Sequence, residues 1–132
     1  MKTLLPAGWP RPKGYSNGIA ADGTQVHIAG MVGWNPETSE FETDDFAGQF
    51  RQTLESIVAV LAEAGGKPEH IVRFTWYITD KAEYLASLSE VGAAYRDVIG
   101  RHYPVMAAIE IKGLMEPRAK IEIETYAVIP KD

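Results

Sequence analysis

The sequence predicts an α+β fold in which a mixed β-sheet carries two helices on one face. Two segments repeat their apolar residues at helical spacing, and five segments have the composition or the alternation typical of strands. Their order along the chain is ββαβαββ, and its strand, helix, strand, helix, strand run favours parallel crossovers. We expect residues 1–132 to form one domain, because a chain of this length builds a single core.

The N-terminal part combines an irregular segment with two strands. Residues 1–14 are rich in proline and glycine and show no periodicity, so we expect an irregular arm that docks through Trp9. Strands are predicted at residues 16–20 and 24–31, on either side of Asp22-Gly23. Because Asp-Gly favours a tight hairpin, we expect these two strands to be antiparallel neighbours.

Two helices separate the remaining strands. The first begins at Phe46 behind a cap at Asp44 or Asp45, and Gly65-Gly66 ends it. The second begins behind Asp80, the predicted N-cap, and ends at Gly100. The other strands are predicted at residues 71–79, 105–112 and 120–129.

Composition argues against several classes of function. The chain has 13 basic and 18 acidic side chains and no basic cluster, which argues against a nucleic-acid partner. Absence of cysteine removes disulfides, thiol nucleophiles and thiolate metal sites. The histidines, His27, His70 and His102, have no metal-ligand spacing, and we expect neither a metal nor a cofactor. No apolar run is long enough for a membrane span or an export signal, so we expect a cytoplasmic protein.

The second face of the sheet needs a partner, because two helices can cover only one face. We assign Ala108, Glu110 and Glu122 to this face from their alternation along the last two strands. A mixed face of small and acidic residues suits an interface between identical subunits. Its glutamates, which include Glu124, either form a catalytic carboxylate cluster or pair with basic residues such as Arg73.

Several segments together resemble the RidA/YjgF family of reactive-intermediate (enamine/imine) deaminases. The resemblance runs from about residue 13 to 129 and is carried by an ordered set of motifs. They are YSNG at 15–18, HIAGMVG at 27–33, the helix from Gln49 to Gly65, the stretch from Ile71 to Asp80, and KIEIE at 120–124. The resemblance implies a chorismate-mutase-like fold assembled as a homotrimer, with small-molecule clefts at the subunit interfaces.

The resemblance also implies roles for individual residues. Tyr15 matches the tyrosine that closes over the cleft, and the Gly30 carbonyl matches the group that helps to hold the hydrolytic water. Glu122 matches the glutamate that positions this water, so Glu122 and Gly30 are the expected catalytic residues. Ala108 stands where many members have a cysteine that contributes backbone groups to the ligand.

The serious departure from the family pattern is at Met106. Members that hydrolyse 2-iminoacids have Pro-x-Arg where this chain has Pro104-Val105-Met106, and a thioether cannot pair with a substrate carboxylate. We therefore expect a larger or more aromatic ligand than the usual 2-iminoacids. The expected ligand-binding residues are Tyr15, Met31, Trp34, Tyr103, Met106 and Ala108.

Three functions are compatible with these residues. The first is a deaminase-like hydrolase of an enamine or imine intermediate. The second is a non-catalytic protein of the same family that binds a small metabolite. The third, a ribonuclease or translation inhibitor, is the least supported because the chain carries a net charge of −5.

Overall fold

The structure is a computed structural model that describes residues 1–132. It contains six strands and three α-helices: β1 (Lys2–Leu4), β2 (Gly18–Ala20), β3 (Thr24–Val32), α1 (Phe46–Glu63), β4 (Ile71–Ile78), α2 (Lys81–Ala86), α3 (Leu88–Val98), β5 (Val105–Glu110) and β6 (Ile121–Ile129). A short 3-10 turn at Pro68–His70 leads into β4. None of the helices has both the length and the apolar character that a membrane crossing requires.

Four strands form one mixed sheet in the order β3-β6-β4-β5. Strand β6 is antiparallel to both β3 and β4, whereas β5 runs parallel to β4. Helices α2 and α3 make the connection between the two parallel strands, as the sequence predicts. The predicted α+β class with a mixed sheet is confirmed.

The hydrophobic core lies between the sheet and helices α1 and α3. Alternate residues of β4 and β6 face α1, and Phe50 packs its ring edge-on against Trp76 at 5.0 Å between centroids. Several of the core side chains are completely buried: Phe50, Leu54, Ile57, Leu61, Phe74, Ile121 and Ile123. Burial of this amphipathic stripe, rather than helix propensity, holds α1 on the sheet.

Helix α1 begins and ends where its capping residues predict. The Asp45 carboxylate accepts a hydrogen bond from the Gly48 N–H at 2.9 Å, so Asp45 and not Asp44 is the N-cap. At the other end Gly65 adopts a φ of 78°, and the Gly66 N–H returns to the Leu61 carbonyl at 3.1 Å. This left-handed turn ends the helix and satisfies a terminal carbonyl.

The predicted hairpin at Asp22-Gly23 is wrong. Strand β2 pairs with β1, and β3 pairs with β6. Gly23 is needed instead for a close approach, because a Cβ there would lie 2.1 Å from the Ile129 carbonyl oxygen. The N-terminal arm is consequently not wholly irregular, and Trp9 is 59% exposed rather than docked on the chain.

The predicted second helix is divided at Ser87. Asp80 accepts from the Glu83 N–H at 3.1 Å and caps α2 as predicted. Ser87 then leaves the helical conformation, and its hydroxyl donates to the Glu83 carbonyl at 2.8 Å. This local hydrogen bond competes with the helical pattern, so α3 starts anew at Leu88.

The side chains of β5 face opposite to the prediction. Glu110 points to the helix side, where its carboxylate accepts from the Lys81 N–H at 2.7 Å, and Ala108 lines the same side. The face that carries Glu122 instead receives the other set of β5 side chains, among them Ile109, which is 44% exposed. Ala108 and Glu110 therefore do not share a face with Glu122.

Gln49 joins three backbone segments inside the core. Its amide nitrogen donates to the carbonyls of Thr43 and Arg118 at 3.1 and 3.0 Å, and its carbonyl oxygen accepts from the Lys120 N–H at 2.9 Å. We expect Gln49→Leu to lower the free energy of unfolding by about 2–4 kcal/mol, because three buried backbone groups lose their partner. Urea denaturation measures this loss.

The matched control for Gln49→Leu is Gln52→Leu on the same helix. Gln52 is half-buried and bonds only the Ser56 hydroxyl, at 3.3 Å. We expect the control to stay within about 0.5 kcal/mol of the parent protein. Equal destabilisation by both variants would contradict the role given to Gln49.

Three tyrosines should make the fold sensitive to alkaline pH. Burial raises the pKa of Tyr95 and Tyr84, and the hydrogen bond to Glu124 raises the pKa of Tyr77. A group whose pKa is raised by folding keeps its proton longer in the native state, so stability should be complete below about pH 10 and fall above it. Urea denaturation between pH 9 and about pH 11, beside tyrosinate absorbance, measures both effects.

Tyr95→Phe provides the control for this alkaline sensitivity. The variant loses the hydrogen bond that Tyr95 donates to the His102 carbonyl at 2.6 Å, so it should lose about 1 kcal/mol at neutral pH. Above pH 10 it should lose less further stability than the parent protein. An unchanged slope would show that Tyr95 is not the main titrating group.

Candidate functional site

A pocket on the uncovered face of the sheet contains the two expected catalytic residues. We call it the carboxylate pocket, and it is lined by Gly30, Tyr77, Ile111, Leu114, Glu122 and Glu124. Strands β3, β4 and β6 supply most of its wall. The lining holds two acidic side chains and no basic one.

The Glu122 carboxylate lies directly over the backbone of Gly30. A Cβ at residue 30 would be 2.6 Å from the Glu122 Oε2 and 2.8 Å from its Cδ. Any larger residue would therefore displace the carboxylate, and glycine is required for this approach. The site lies beside a register shift in the β3–β6 pairing, between Ile28 and Met31.

Within the chain, Glu122 makes no ion pair, and neither does Glu124. Glu124 accepts a hydrogen bond from the Tyr77 hydroxyl at 2.5 Å, while the Glu122 side chain has no hydrogen-bond partner. The predicted alternative of an intramolecular pair with Arg73 is thus wrong. An unpaired carboxylate keeps its oxygens available to accept hydrogen bonds from a water or to receive a proton.

Gln49 fixes the strands on both sides of the carboxylate pocket. Its hydrogen bonds hold Arg118 and Lys120, so the chain is fixed immediately before β6 begins and two residues before Glu122. The chain leaving β3 passes close to α1 at Gly33, where an added Cβ would lie 2.4 Å from the Gln49 carbonyl oxygen. The spacing between Gly30 and Glu122 therefore depends on a helix residue that touches neither.

A second pocket lies on the helix side of the sheet, between β5 and α3. We call it the aromatic pocket; its volume is about 300 Å³, and its main walls are Trp76, Tyr84, Tyr95, Tyr103 and Met106. The rings of Tyr95 and Tyr103 stack at 5.7 Å with an angle of 8° between their planes. Two of the expected ligand-binding residues, Tyr103 and Met106, are thus neighbours here.

Tyr15 lies beside the aromatic pocket at the start of β5. The Ser16 hydroxyl donates to the Tyr103 carbonyl at 2.6 Å, and the Ser16 N–H donates to the Pro104 carbonyl at 3.1 Å. Tyr15 and Tyr103 line a common depression at this point. The N-terminal segment is therefore fastened to the strand that carries Met106.

The other expected ligand-binding residues lie apart from both pockets. Ala108 lines a small apolar depression with Tyr84, on the helix side of β5. Met31 packs against the core, and Trp34 contacts the ring of Phe41 at 5.8 Å between centroids. None of these three side chains lines the carboxylate pocket or the aromatic pocket.

Sequence reasoning missed two cations, Lys13 and Arg96, that line the aromatic pocket. They are far apart in the chain, and neither belongs to a recognisable motif. The histidines make local contacts instead: the His102 ring lies 2.6 Å from the Ile71 carbonyl, and the His70 ring accepts from the Lys67 N–H. No group of three or more histidine, aspartate or glutamate side chains converges as a metal site would require.

Comparison with known proteins places these features in a family. Residues 10–129 match the family described as Endoribonuclease L-PSP. A RutC family protein of Aquifex aeolicus is 36% identical over 130 residues, which cover 97% of this chain and 99% of the relative. A RutC family protein of Pyrococcus horikoshii is 36% identical over 119 residues, which cover 89% and 90% of the two chains.

Solved structures agree in fold along nearly the whole chain. The Rid family protein YyfB of Yersinia pestis has a TM-score of 0.83 and 27% identity, and covers 97% of this chain and 98% of its own. E. coli TdcF with bound serine has a TM-score of 0.70 and 27% identity, and covers 98% and 100%. The architecture is therefore the chorismate-mutase-like α+β fold of the Rid proteins. The chain belongs to the RidA/YjgF family, as its sequence motifs predict.

Proposed function

We propose that this protein hydrolyses an enamine or imine intermediate that is larger or more aromatic than the usual 2-iminoacids. Membership of the RidA/YjgF family supports a Rid-type function in general. The observation that carries the specific proposal is the Glu122 carboxylate, which is unpaired within the chain and lies over the Gly30 backbone.

The proposed reaction consumes one water and releases ammonia. A water held between the Gly30 carbonyl and the Glu122 carboxylate attacks the carbon of the C=N bond, and Glu122 accepts its proton. The electron pair of the C=N bond moves to nitrogen, which takes the proton from Glu122 to give a neutral tetrahedral carbinolamine. On collapse Glu122 accepts the hydroxyl proton as the C=O bond forms and delivers it to the nitrogen, so the C–N bond breaks, ammonia leaves and Glu122 is again ionised.

The proposed cleft requires two copies of the chain. Glu122 lies on the uncovered face of the sheet, whereas Met106 lines the helix side of the edge strand β5. Glu122 pairs with Tyr77 and Met106 pairs with Phe74, and these two residues of β4 face opposite sides of the sheet, so one copy holds the two groups on opposite faces. A homotrimer with interface clefts would bring the carboxylate pocket of one copy to the aromatic pocket of the next.

Sedimentation tests the assembly on which this cleft depends. We expect a trimer at micromolar concentration, because the uncovered face exposes apolar side chains such as Ile109 and Tyr126. A stable monomer at that concentration would contradict both the trimer and the interface cleft.

The nature of the substrate follows from the walls of the aromatic pocket. Met106 offers a soft apolar contact where a carboxylate-binding arginine stands in relatives. Rings from Trp76, Tyr84 and Tyr103 surround it and favour a flat apolar group over a small polar one.

The activity can be tested with imines generated in the assay from amino acids by an amino acid oxidase. We expect faster release of ammonia for imines with aromatic side chains than for small aliphatic ones. Gly30→Ala is the informative variant, because it displaces the Glu122 carboxylate without removing it. A loss of about tenfold or more in this variant, with the fold retained, would support the role of carboxylate position.

The alternative is a family member that binds a metabolite without chemistry. One comparison favours it specifically, since TdcF of E. coli was crystallised with bound serine. If the folded trimer accelerates no imine while a ligand raises its melting temperature, binding without catalysis is the better assignment.

A further inference from the structure

We propose that Arg96, assisted by Lys13, binds the carboxylate of an aromatic ligand in the aromatic pocket. The cation that Met106 cannot provide from β5 would then come from helix α3. The inference rests on the proposed function only in treating the aromatic pocket as part of the ligand cleft. The proposed substrates are planar aromatic compounds that carry an anionic group.

The aromatic pocket carries positive charge in an acidic protein. The chain has 18 acidic and 13 basic residues, yet this pocket is lined by two basic residues and no acidic one. Its charge is therefore opposite to that of the protein as a whole. A local excess of cations attracts and orients an anionic ligand.

Both cations of the aromatic pocket are free to bind a ligand. The ion pairs of the chain are Arg51 with Asp97, Arg118 with Asp44, and Lys120 with Glu83. Neither Arg96 nor Lys13 takes part in them, and neither donates a side-chain hydrogen bond within the chain. A ligand carboxylate would meet donors that need not first give up another partner.

Arg96 lies at the wall of the aromatic pocket. Arg96 follows Gly92 by one helical turn, and its Nη1 lies 3.2 Å from the position that a Gly92 Cβ would occupy. Since helical side chains lean toward the N-terminus, the guanidinium lies back along α3, over the space left by the glycine. Gly92 and Arg96 both line the aromatic pocket, so the charge is presented at its wall.

The remaining wall of the aromatic pocket is flat and mostly apolar. The stacked rings of Tyr95 and Tyr103 offer a flat surface, and a volume of about 300 Å³ accommodates a single substituted ring. The Lys13 and Arg96 head groups that border this wall are hydrogen-bond donors, which suits a ligand with acceptor oxygens.

The binding experiment uses three probes that separate charge from ring. Phenylacetate has both features, phenylacetamide keeps the shape without the charge, and acetate has the charge without the ring. By isothermal titration calorimetry we expect phenylacetate to bind at least about tenfold more tightly than phenylacetamide, and acetate to show no binding.

Arg96→Gln tests the residue itself. It should weaken phenylacetate binding about tenfold and leave phenylacetamide binding unchanged, because only the charged contact is lost. Arg101→Gln is the matched control. Like Arg96, Arg101 is an exposed arginine, but it lies after the end of α3 and does not line the pocket. It should change neither affinity.

Four results would overturn the proposal. They are equal affinity for phenylacetate and phenylacetamide, no effect of Arg96→Gln, the same weakening of both probes by Arg96→Gln, and no binding of phenylacetate at millimolar concentration. Glu122→Gln separates this proposal from the hydrolase, because it should leave phenylacetate binding intact whether or not turnover is lost. Imine hydrolysis without phenylacetate binding would reject the anion site and retain the proposed function.

Discussion

Glu122→Gln is expected to lower turnover of the true substrate by about 10²–10⁴-fold while the fold and the oligomeric state stay unchanged. Glutamine keeps the shape of the side chain over Gly30 but cannot accept a proton from the attacking water. Since Glu122 makes no ion pair within the chain, removal of its charge should not lower the melting temperature. A melting curve measured beside the rate separates loss of chemistry from loss of structure.

Glu124→Gln is the control for this substitution. It removes a carboxylate from the same pocket, but one whose oxygen accepts the Tyr77 hydroxyl at 2.5 Å. We expect a loss of about 1 kcal/mol of stability and little change in rate, because a charge-assisted hydrogen bond becomes a neutral one. If Glu122→Gln melts early and keeps its turnover while Glu124→Gln stays stable, the roles of the two glutamates are reversed.

Hydrolysis of 2-iminopropionate or 2-iminobutanoate should be slow. The chain has Met106 where relatives active on these compounds have an arginine, and loss of a charge-assisted pair costs about 2–5 kcal/mol of transition-state binding. The value of kcat/KM should therefore be roughly thirtyfold or more below that of an arginine-bearing relative assayed beside it.

Met106→Arg is the complementary variant. Met106 is half-buried at the rim of the aromatic pocket, so an arginine there can extend toward a small carboxylate. We expect at least about a tenfold gain in kcat/KM on 2-iminopropionate. Parent activity equal to that of the relative would show that the cations proposed for aromatic carboxylates also serve small ones, and Arg96 and Lys13 would be the first residues to replace.

The sequence predicts elements well where only one side of them is buried. In α1 the apolar stripe, the cap at Asp45 and the stop at Gly65 all indicate the same helix, and the structure has it. In β4, Phe74, Trp76 and Ile78 alternate with more polar residues, so its core face was identifiable. The pairing of Glu122 with Gly30 was expected only from the family resemblance, because nothing in their own spacing brings them together.

Other features of the structure could not be predicted from the sequence, for physical reasons. Strand β5 has small or apolar residues at both alternating positions up to Ile109, and its one charged residue, Glu110, faces the helices because it accepts from the Lys81 N–H, so the pattern does not show which set faces the helices. Asp22-Gly23 has the composition of a hairpin, although the glycine serves a contact with Ile129. Lys13 and Arg96 meet only through the tertiary fold, and no local signal could have linked them.

The strand order has a consequence for how catalysis would depend on concentration. One folded copy carries the Glu122 carboxylate and the aromatic pocket on opposite sides of its sheet. Under the proposed function a lone copy is a complete fold but an incomplete enzyme, and its activity belongs to the contact between copies. Two defective chains, one altered at Glu122 and one at Met106, would then restore working clefts when mixed, and random assembly would make about one cleft in four intact.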